Sequence, residues 1–431
     1  MALGLNFAEL YYAGLIGRQA LLGVVVAATW TTFVYALALA SFTSGVTREI
    51  TIRNAQGADL VRPAWTALVS GVSIGVVVWV GLSIGATAIL RAMGLSGESL
   101  AHGTTYLRVM SAAFPFLFVI GGFQGVMRGM GEPGVAHRIV AAGLLLSLAL
   151  SPALALPWGL GRGVAGLGVG SLIGFAVTAG AALLVVGRRW RRGARPLARA
   201  WRLDWPALGR IARVTGPSAA VWLGVSVTLA LLQGLMASLG EDFLVAFSVV
   251  LRLEPIAGTL ASAFAAAVLH VVGTYYAFGQ MRRAFLALRL QQLLFLAAIA
   301  PLILVLEAWP RAWAGLFTTT ATALQIADLN TRYFLLSLPF MGMTQVVGAS
   351  FYVFGRPTIG LRIFVVKNLL LLVPSLFLTV WCLGVRDPHV IFLVQLAAAP
   401  CAWLYSEVLL SRWGADPSPV GTPREDPRGR P

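Results

Sequence analysis

Seven polar side chains stand inside or beside long apolar stretches of this sequence: Glu254, Glu9, Arg252, Asn6, Gln233, His270 and Lys367. Their chemistry is the taking up and releasing of charge, not the making of bonds. An ionisable side chain at the centre of a bilayer costs about 2.5–3.5 kcal/mol on insertion scales, so its retention there points to function. Glu254 is the leading candidate, because it lies roughly a dozen residues into its apolar stretch, near mid-depth. Burial disfavours a carboxylate and a nearby cation favours it. A glutamate balanced between the two can alternate between holding a proton and holding a cationic substrate. The competing role is a structural ion pair with an arginine on another helix. Arg252 is only two residues away, and positions i and i+2 do not face each other on a helix.

The other candidates each have a plain role beside the functional one. Glu9 is either a coupling carboxylate or an acid solvated at a frayed terminus. Lys367 either projects into a central cleft or extends its stem toward the interface. His270 is a proton relay or, more plainly, an interfacial or hydrogen-bonded ring. Asn6 and Gln233 line the cleft or hydrogen-bond between helices. Glu407 reads as interfacial, and Trp30, Tyr35, Phe114 and Phe116 as packing or belt residues with a lesser claim on a cleft for planar cations. The inventory argues against an enzyme: there are 4 His, no metal-ligand cluster and no nucleophile motif. Cys382 and Cys401 have neither disulfide nor metal spacing. No metal or cofactor is expected beyond a coupling ion.

Such side chains need elements that cross lipid. Of 431 residues, 58% are hydrophobic and 11% charged. A soluble domain carries about a quarter charged residues. Apolar stretches at about 20–46, 64–91, 104–127, 137–157, 163–187, 215–239, 243–272, 284–307, 331–354, 357–382 and 389–412 each approach or exceed the roughly 20 residues of one crossing. They predict an all-α polytopic membrane protein of 11–12 spans, with a short apolar start at 1–17. The formal net charge is +16. The arginines sit mainly in short loops, where they set topology and attract anionic lipid, so nucleic acid is not the expected partner. The central loop carries Arg188, Arg189, Arg191, Arg192, Arg195, Arg199 and Arg202, and alternate loops carry Arg48, Arg53, Arg62, Arg128, Arg138, Arg282, Arg283 and Arg356. That set and the C-terminus are expected to face the cytoplasm of a bacterial inner membrane. The halves are expected at 1–187 and 214–413, joined by a basic linker at 188–213 and followed by a disordered tail at 414–431.

An internal repeat organises the spans. GEPGVAHRI begins at Gly131 and GRPTIGLRI at Gly355, an offset of 224 residues, and Pro115-Phe116 recurs without a gap at Pro339-Phe340. Both copies precede a loop assigned to the same side, which predicts two parallel six-helix repeats around a central cleft. Twelve crossings then place residues 1–17 where a first span belongs. That segment is too short to cross unaided, and the expectation is a start that continues upstream.

On these residues the sequence resembles the multidrug and toxic compound extrusion (MATE) family over about residues 6 to 410. Three places carry the resemblance. They are Asn6 through Gly17, with a carboxylate ahead of a Gly-x-x-Gly turn; Arg53-Asn54-Ala55-Gln56-Gly57-Ala58 with its relative at Gly273–Gln280; and the Arg-Gly-x-Gly-x-Pro loop at Arg128 to Pro133 with its copy at Gly355 to Pro357. Arg252-Leu253-Glu254 is similar to a triplet of one bacterial branch. Ser151 stands where some members carry an acid, and Tyr275 where the second half often has Asn. The resemblance implies a monomeric antiporter that exports small organic, cationic or amphipathic compounds against protons or sodium. Glu254 and Glu9 would couple ion to substrate. The alternatives are a lipid-linked sugar flippase of the same superfamily and a degenerate, non-transporting homologue.

Overall fold

The computed structural model describes residues 2–192, 203–318 and 320–415, with backbone alone at 2–7, 191–192 and 413–415. Arg195, Arg199, Arg202 and most of the 414–431 tail therefore lie outside the described residues, as do the side chains of Asn6, Arg191 and Arg192.

The regular elements among the described residues are all helical. They are α1 (Ala2–Ile16), α2 (Arg18–Ala55), α3 (Val61–Ala92), α4 (Gly97–Ser111), α5 (Phe114–Gly129), α6 (Pro133–Ala155), α7 (Gly163–Arg192), α8 (Trp205–Leu239), α9 (Glu241–Leu251), α10 (Glu254–Ala277), α11 (Met281–Ala308), α12 (Pro310–Gly315), α13 (Ala321–Val353), α14 (Pro357–Cys382) and α15 (Pro388–Ala415). Ten segments are long and apolar enough to cross a membrane, and the bent pair α4–α5 makes an eleventh. The single span expected at 104–127 is thus two helices meeting at 45°. Pro115, at the start of α5, has no N–H for the carbonyl four residues back. Ala112 and Ala113 tighten onto Val109 and Met110, three residues back, to turn the corner.

The chain forms two compact units, Met1–Ser226 and Val227–Pro431. The 224-residue offset maps almost every helix of the first onto the second. It carries α1 onto the last turns of α8, α2 onto α9–α10, α3 onto α11–α12, α4–α5 onto α13, α6 onto α14 and α7 onto α15.

In the first unit, small residues bring backbones together, as membrane helices require when lipid supplies no hydrophobic drive between them. A Cβ on Gly75 would come within 2.5 Å of Pro115 Cα, and one on Gly121 would strike the Ala38 carbonyl oxygen. Ala38 lies in a wide π turn, Leu37–Phe42, and Thr43 Oγ1 seals the junction at 3.1 Å from Ala38 O and 3.0 Å from Gly121 O. Helices α6 and α7 mesh through Gly143 on Thr178, Gly174 on Ser147 and Gly170 on Ser151. Ser151 is buried and donates to Leu167 O.

A charged clamp pins the start of α8 to the first unit. Glu49, 5% exposed at its side chain, accepts from Arg53 at 2.7 Å and from Arg210 at 2.7 and 2.8 Å. Arg53 also reaches Asp204 at 2.8 Å, whose other oxygen caps the Ala207 N–H. Partial burial pushes the Asp204 carboxyl up, but the Ala207 N–H and the Arg53 guanidinium outweigh it and hold it below the usual carboxylate range. At the turn between α5 and α6, the hydrogen bond from Arg189 holds the Glu132 carboxyl low in the same way.

In the second unit α13 is the central helix and packs on α9, α10, α11 and α15. Helix α14 is irregular, with π turns at Val365–Leu372 and Leu378–Cys382. Glu407 is mostly buried and bonded to Arg289 at 2.7 Å and Gln292 at 2.6 Å, tying α15 to α11.

Candidate functional site

Helix α1 packs against α2, α6 and α7, and that packing decides the state of Glu9. Its side chain is 1% exposed, so the reading of an acid solvated in a frayed terminus is wrong. A lone buried carboxylate is costly unless donors surround it. Tyr106 of α4 donates to Oε2 at 2.6 Å, and Ser171 of α7 donates to Oε1. Thr31 of α2, buried, donates its hydroxyl to Ala28 O at 3.0 Å. Tyr35, one helical turn further along α2, is buried beside the same carboxylate with its ring against Phe175, and its hydroxyl has no partner among the described residues. No ion pair to Glu9 occurs among the described residues. The result is a carboxylate enclosed by hydroxyls, with no charge to neutralise it. Such a group takes up a proton by reorienting a hydroxyl from donor to acceptor.

The second unit has a different arrangement. Glu254 stands at the head of α10, immediately after a break in its span at Arg252 and Leu253. Pro255 lacks the N–H that would continue the ladder, and Leu253 N–H bonds Val250 O, three residues back, at 2.9 Å. Glu254 thus lies within the single span Glu241–Ala277, as expected, and at a local break in its helix. The cation within electrostatic range of Glu254 is Lys367, not the arginine that the ion-pair alternative called for, and the two form no direct pair within 4 Å among the described residues. Lys367 is half-buried within the π turn of α14. Arg252 is exposed and lies over the Phe317 ring, 4.6 Å from its centroid.

The remaining candidates are not gathered at either carboxylate. Gln233 is exposed and makes no hydrogen bond among the described residues, against the expected bond between helices. His270 is half-buried with Nδ1 unpartnered among the described residues. Asn6 sits on α1, its side chain outside the described set. Among the described residues no group of three His, Cys, Asp or Glu could hold a metal ion.

Tyr106 and Ser171 do not stand out in the sequence, because a tyrosine and a serine in apolar helices are ordinary. One signal is there to be used. At the 224-residue offset they fall on Asn330 and Gln395, so both positions are polar in both copies.

A sequence profile of the MatE family matches residues 2–153 and 217–378. Comparison with curated proteins finds no match. Among solved structures, the chain is similar to a MOP superfamily transporter from Pyrococcus furiosus Vc1 (DSM3638), described as having a binding pocket of reverse polarity that suggests a different function. That likeness has TM-score 0.83 and 19% identity over 94% of this chain and 91% of the other. The outward-facing form of a multidrug resistance MATE family transporter aligns at TM-score 0.81 and 21% identity, covering 95% and 92%. The bent form of the Vibrio cholerae MATE transporter VcmN aligns at TM-score 0.84 and 16% identity, covering 96% and 93%.

Proposed function

The chain belongs to the MatE family of transporters, and from that premise we propose that it exports small organic, cationic or amphipathic compounds by antiport against protons. The observation that carries this reading is Glu9, buried, uncompensated by a cation and held by two hydroxyl donors. Both carboxylate oxygens are already engaged by hydroxyls. A proton needs only a hydroxyl to turn and no further ligand, so the proton is the coupling ion in this reading. Glu254, with Lys367 in range, is the second titrating site. Glu9 now stands ahead of it, because Glu9 has its donors in place.

One carboxylate serves the first unit, since Ser151 bonds backbone instead of joining Glu9. One charge moving through about 100 mV is worth roughly 2.3 kcal/mol, which supports a gradient of roughly fiftyfold at about 1.4 kcal/mol per decade. Alternating access is read as rocking of the two halves about a central site. The protein is read as a monomer in a bacterial inner membrane, with the Arg-rich loops and C-terminus cytoplasmic.

Ethidium efflux from cells without their own pumps tests the reading, with wild type, Glu9→Gln and Glu254→Gln at equal expression. Export by wild type that is lost in Glu9→Gln, and that collapses with the proton gradient but not the sodium gradient, is the expected result. Undiminished export by Glu9→Gln would overturn the assignment of the coupling site. Lys367, an interior cation, favours a second reading, transport of an anionic lipid-linked sugar. Absence of dye export by wild type and both variants would make that substrate the next to measure.

A further inference from the structure

We propose that the second unit contains a water-filled passage along the seam between α13 and α15, leading from a pocket at one membrane face to the level of the helix break that carries Glu254. Two cavities lie one after the other on this seam. The outer one, about 270 Å³, is bounded by Arg311, Asp328 and His389. The inner one, about 10 Å³, is bounded by Asn330, Ser337 and Gln395, which is about the volume that holds one water. Tyr333 stands between them, its hydroxyl 3.4 Å from His389 Nδ1. Both helices supply successive turns to the two cavities, so the two lie in sequence along one helix seam.

The groups along the seam ask for donors that the protein does not supply. Asn330 Oδ1 and Gln395 Oε1, on the wall of the inner cavity, are buried and have no hydrogen-bond partner among the described residues. Asn330 is 0% exposed. Buried polar atoms in membrane proteins are retained where water or another helix satisfies them. At the outer pocket, Asp328 has Arg311 at 3.5 Å and Arg332 at 3.6 Å, and Arg332 is also held by Glu307 at 2.7 Å. The charges there balance, and the inner cavity has none. Water fits that lining better than a metal cation does.

The repeat supplies an independent argument. Asn330 and Gln395 occupy the positions that Tyr106 and Ser171 hold around Glu9, while the position of Glu9 itself is taken by Gln233. The second copy has kept the polar place in the fold and lost its carboxylate. Phe334, which also lines the inner cavity, belongs to the same apolar cluster as Leu253, so the wall of that cavity is part of the packing around the turn beside Glu254. That the passage serves Glu254 rests on the proposed function. That it holds water does not.

Thiol accessibility tests it in the full-length protein in membrane vesicles, with Cys382 and Cys401 first replaced by serine and alanine. Single variants Ser337→Cys and Gln395→Cys are compared with Gln325→Cys at the exposed rim, and with Leu336→Cys and Leu393→Cys on the exposed apolar faces of the same helices. Hydroxyl radicals generated from the water itself by a brief X-ray pulse oxidise a thiol that touches water, and they are no larger than the water the cavity would hold. The expected result is modification at 337 and 395 at least about tenfold faster than at 336 and 393. Asn330→Leu added to Gln395→Cys should slow that reaction and leave 325 unchanged. Rates at 337 and 395 no faster than at the apolar positions would overturn the passage. A rate at 395 indifferent to Asn330→Leu would overturn its route. Labelling reads no transport, so failure of the antiport reading leaves this result standing, and the reverse.

Discussion

Glu49→Gln is the substitution for which the structure supplies a magnitude. The Glu49 carboxylate accepts three bonds, two from Arg210 and one from Arg53, at 2.7–2.8 Å. Hydrogen bonds to charged groups are worth about 1.5–3 kcal/mol each, so three set a ceiling of roughly 4.5–9 kcal/mol. Three corrections lower it. The Arg210 side chain is 39% exposed and is screened by solvent. Arg53 keeps Asp204 as a partner. The glutamine retains one acceptor oxygen. A loss of about 2–4 kcal/mol remains, at or below the range of about 3–5 kcal/mol for breaking a fully buried pair. Tryptophan fluorescence during unfolding in mixed detergent and SDS micelles measures it, alone and in a double-mutant cycle with Arg210→Gln. The cycle should return a coupling above about 1 kcal/mol. A Glu49→Gln effect under about 0.5 kcal/mol, with no coupling to Arg210, would refute the idea that this clamp fixes the start of α8.

Asp204 gives the clamp a pH signature. A carboxyl held low in the folded protein adds stability that is complete above its unfolded value of about 3.9 and is lost as pH falls through the folded value. Asp204→Asn should therefore destabilise at pH 7, with the difference shrinking as pH falls below the unfolded value of about 3.9, as read from the same unfolding curves. Tyr106→Phe removes one of the two donors to Glu9. A charged hydrogen bond of about 1.5–3 kcal/mol acting on one protonation state changes proton affinity by about ten- to a hundredfold, which dye efflux measured across pH would show as a displaced profile with expression unchanged. Gly121→Ala drives a methyl into the Ala38 carbonyl and should cost about 1–3 kcal/mol. Gly348→Ala, with open space around it, should stay within about 0.5 kcal/mol by thermal melting.

The spans were legible because a run of apolar residues long enough to cross lipid has few other uses, and the repeat was legible because Gly-x-Pro and Pro-Phe are rare pairs in such a composition. The break at Arg252–Leu253 was not. Pro255 signals an interruption, yet prolines also sit inside the continuous helices α8, α11 and α13, so only tertiary packing distinguishes a tolerated proline from a hinge. Glu9 was legible as a candidate through the resemblance and hidden as a site, because its partners come from residues 97 and 162 positions away. The Glu254–Lys367 proximity was hidden for the same reason. Periodicity reports which face a residue occupies and says nothing about what comes to meet it.

The meshing of α6 with α7 through glycine has a consequence for how the two copies have aged. At the shared offset Gly143 becomes Lys367, Ser147 becomes Leu371, and Gly174 becomes Ala398. A helix pair that interlocks at the backbone admits almost no substitution, because each added atom must displace main chain. With larger residues at these places in the second copy, α14 and α15 still pack but without that backbone interlock, and α14 holds a long charged side chain and wide π turns. Substrate preference in such a protein should drift through α14 and its neighbours long before it drifts through α6.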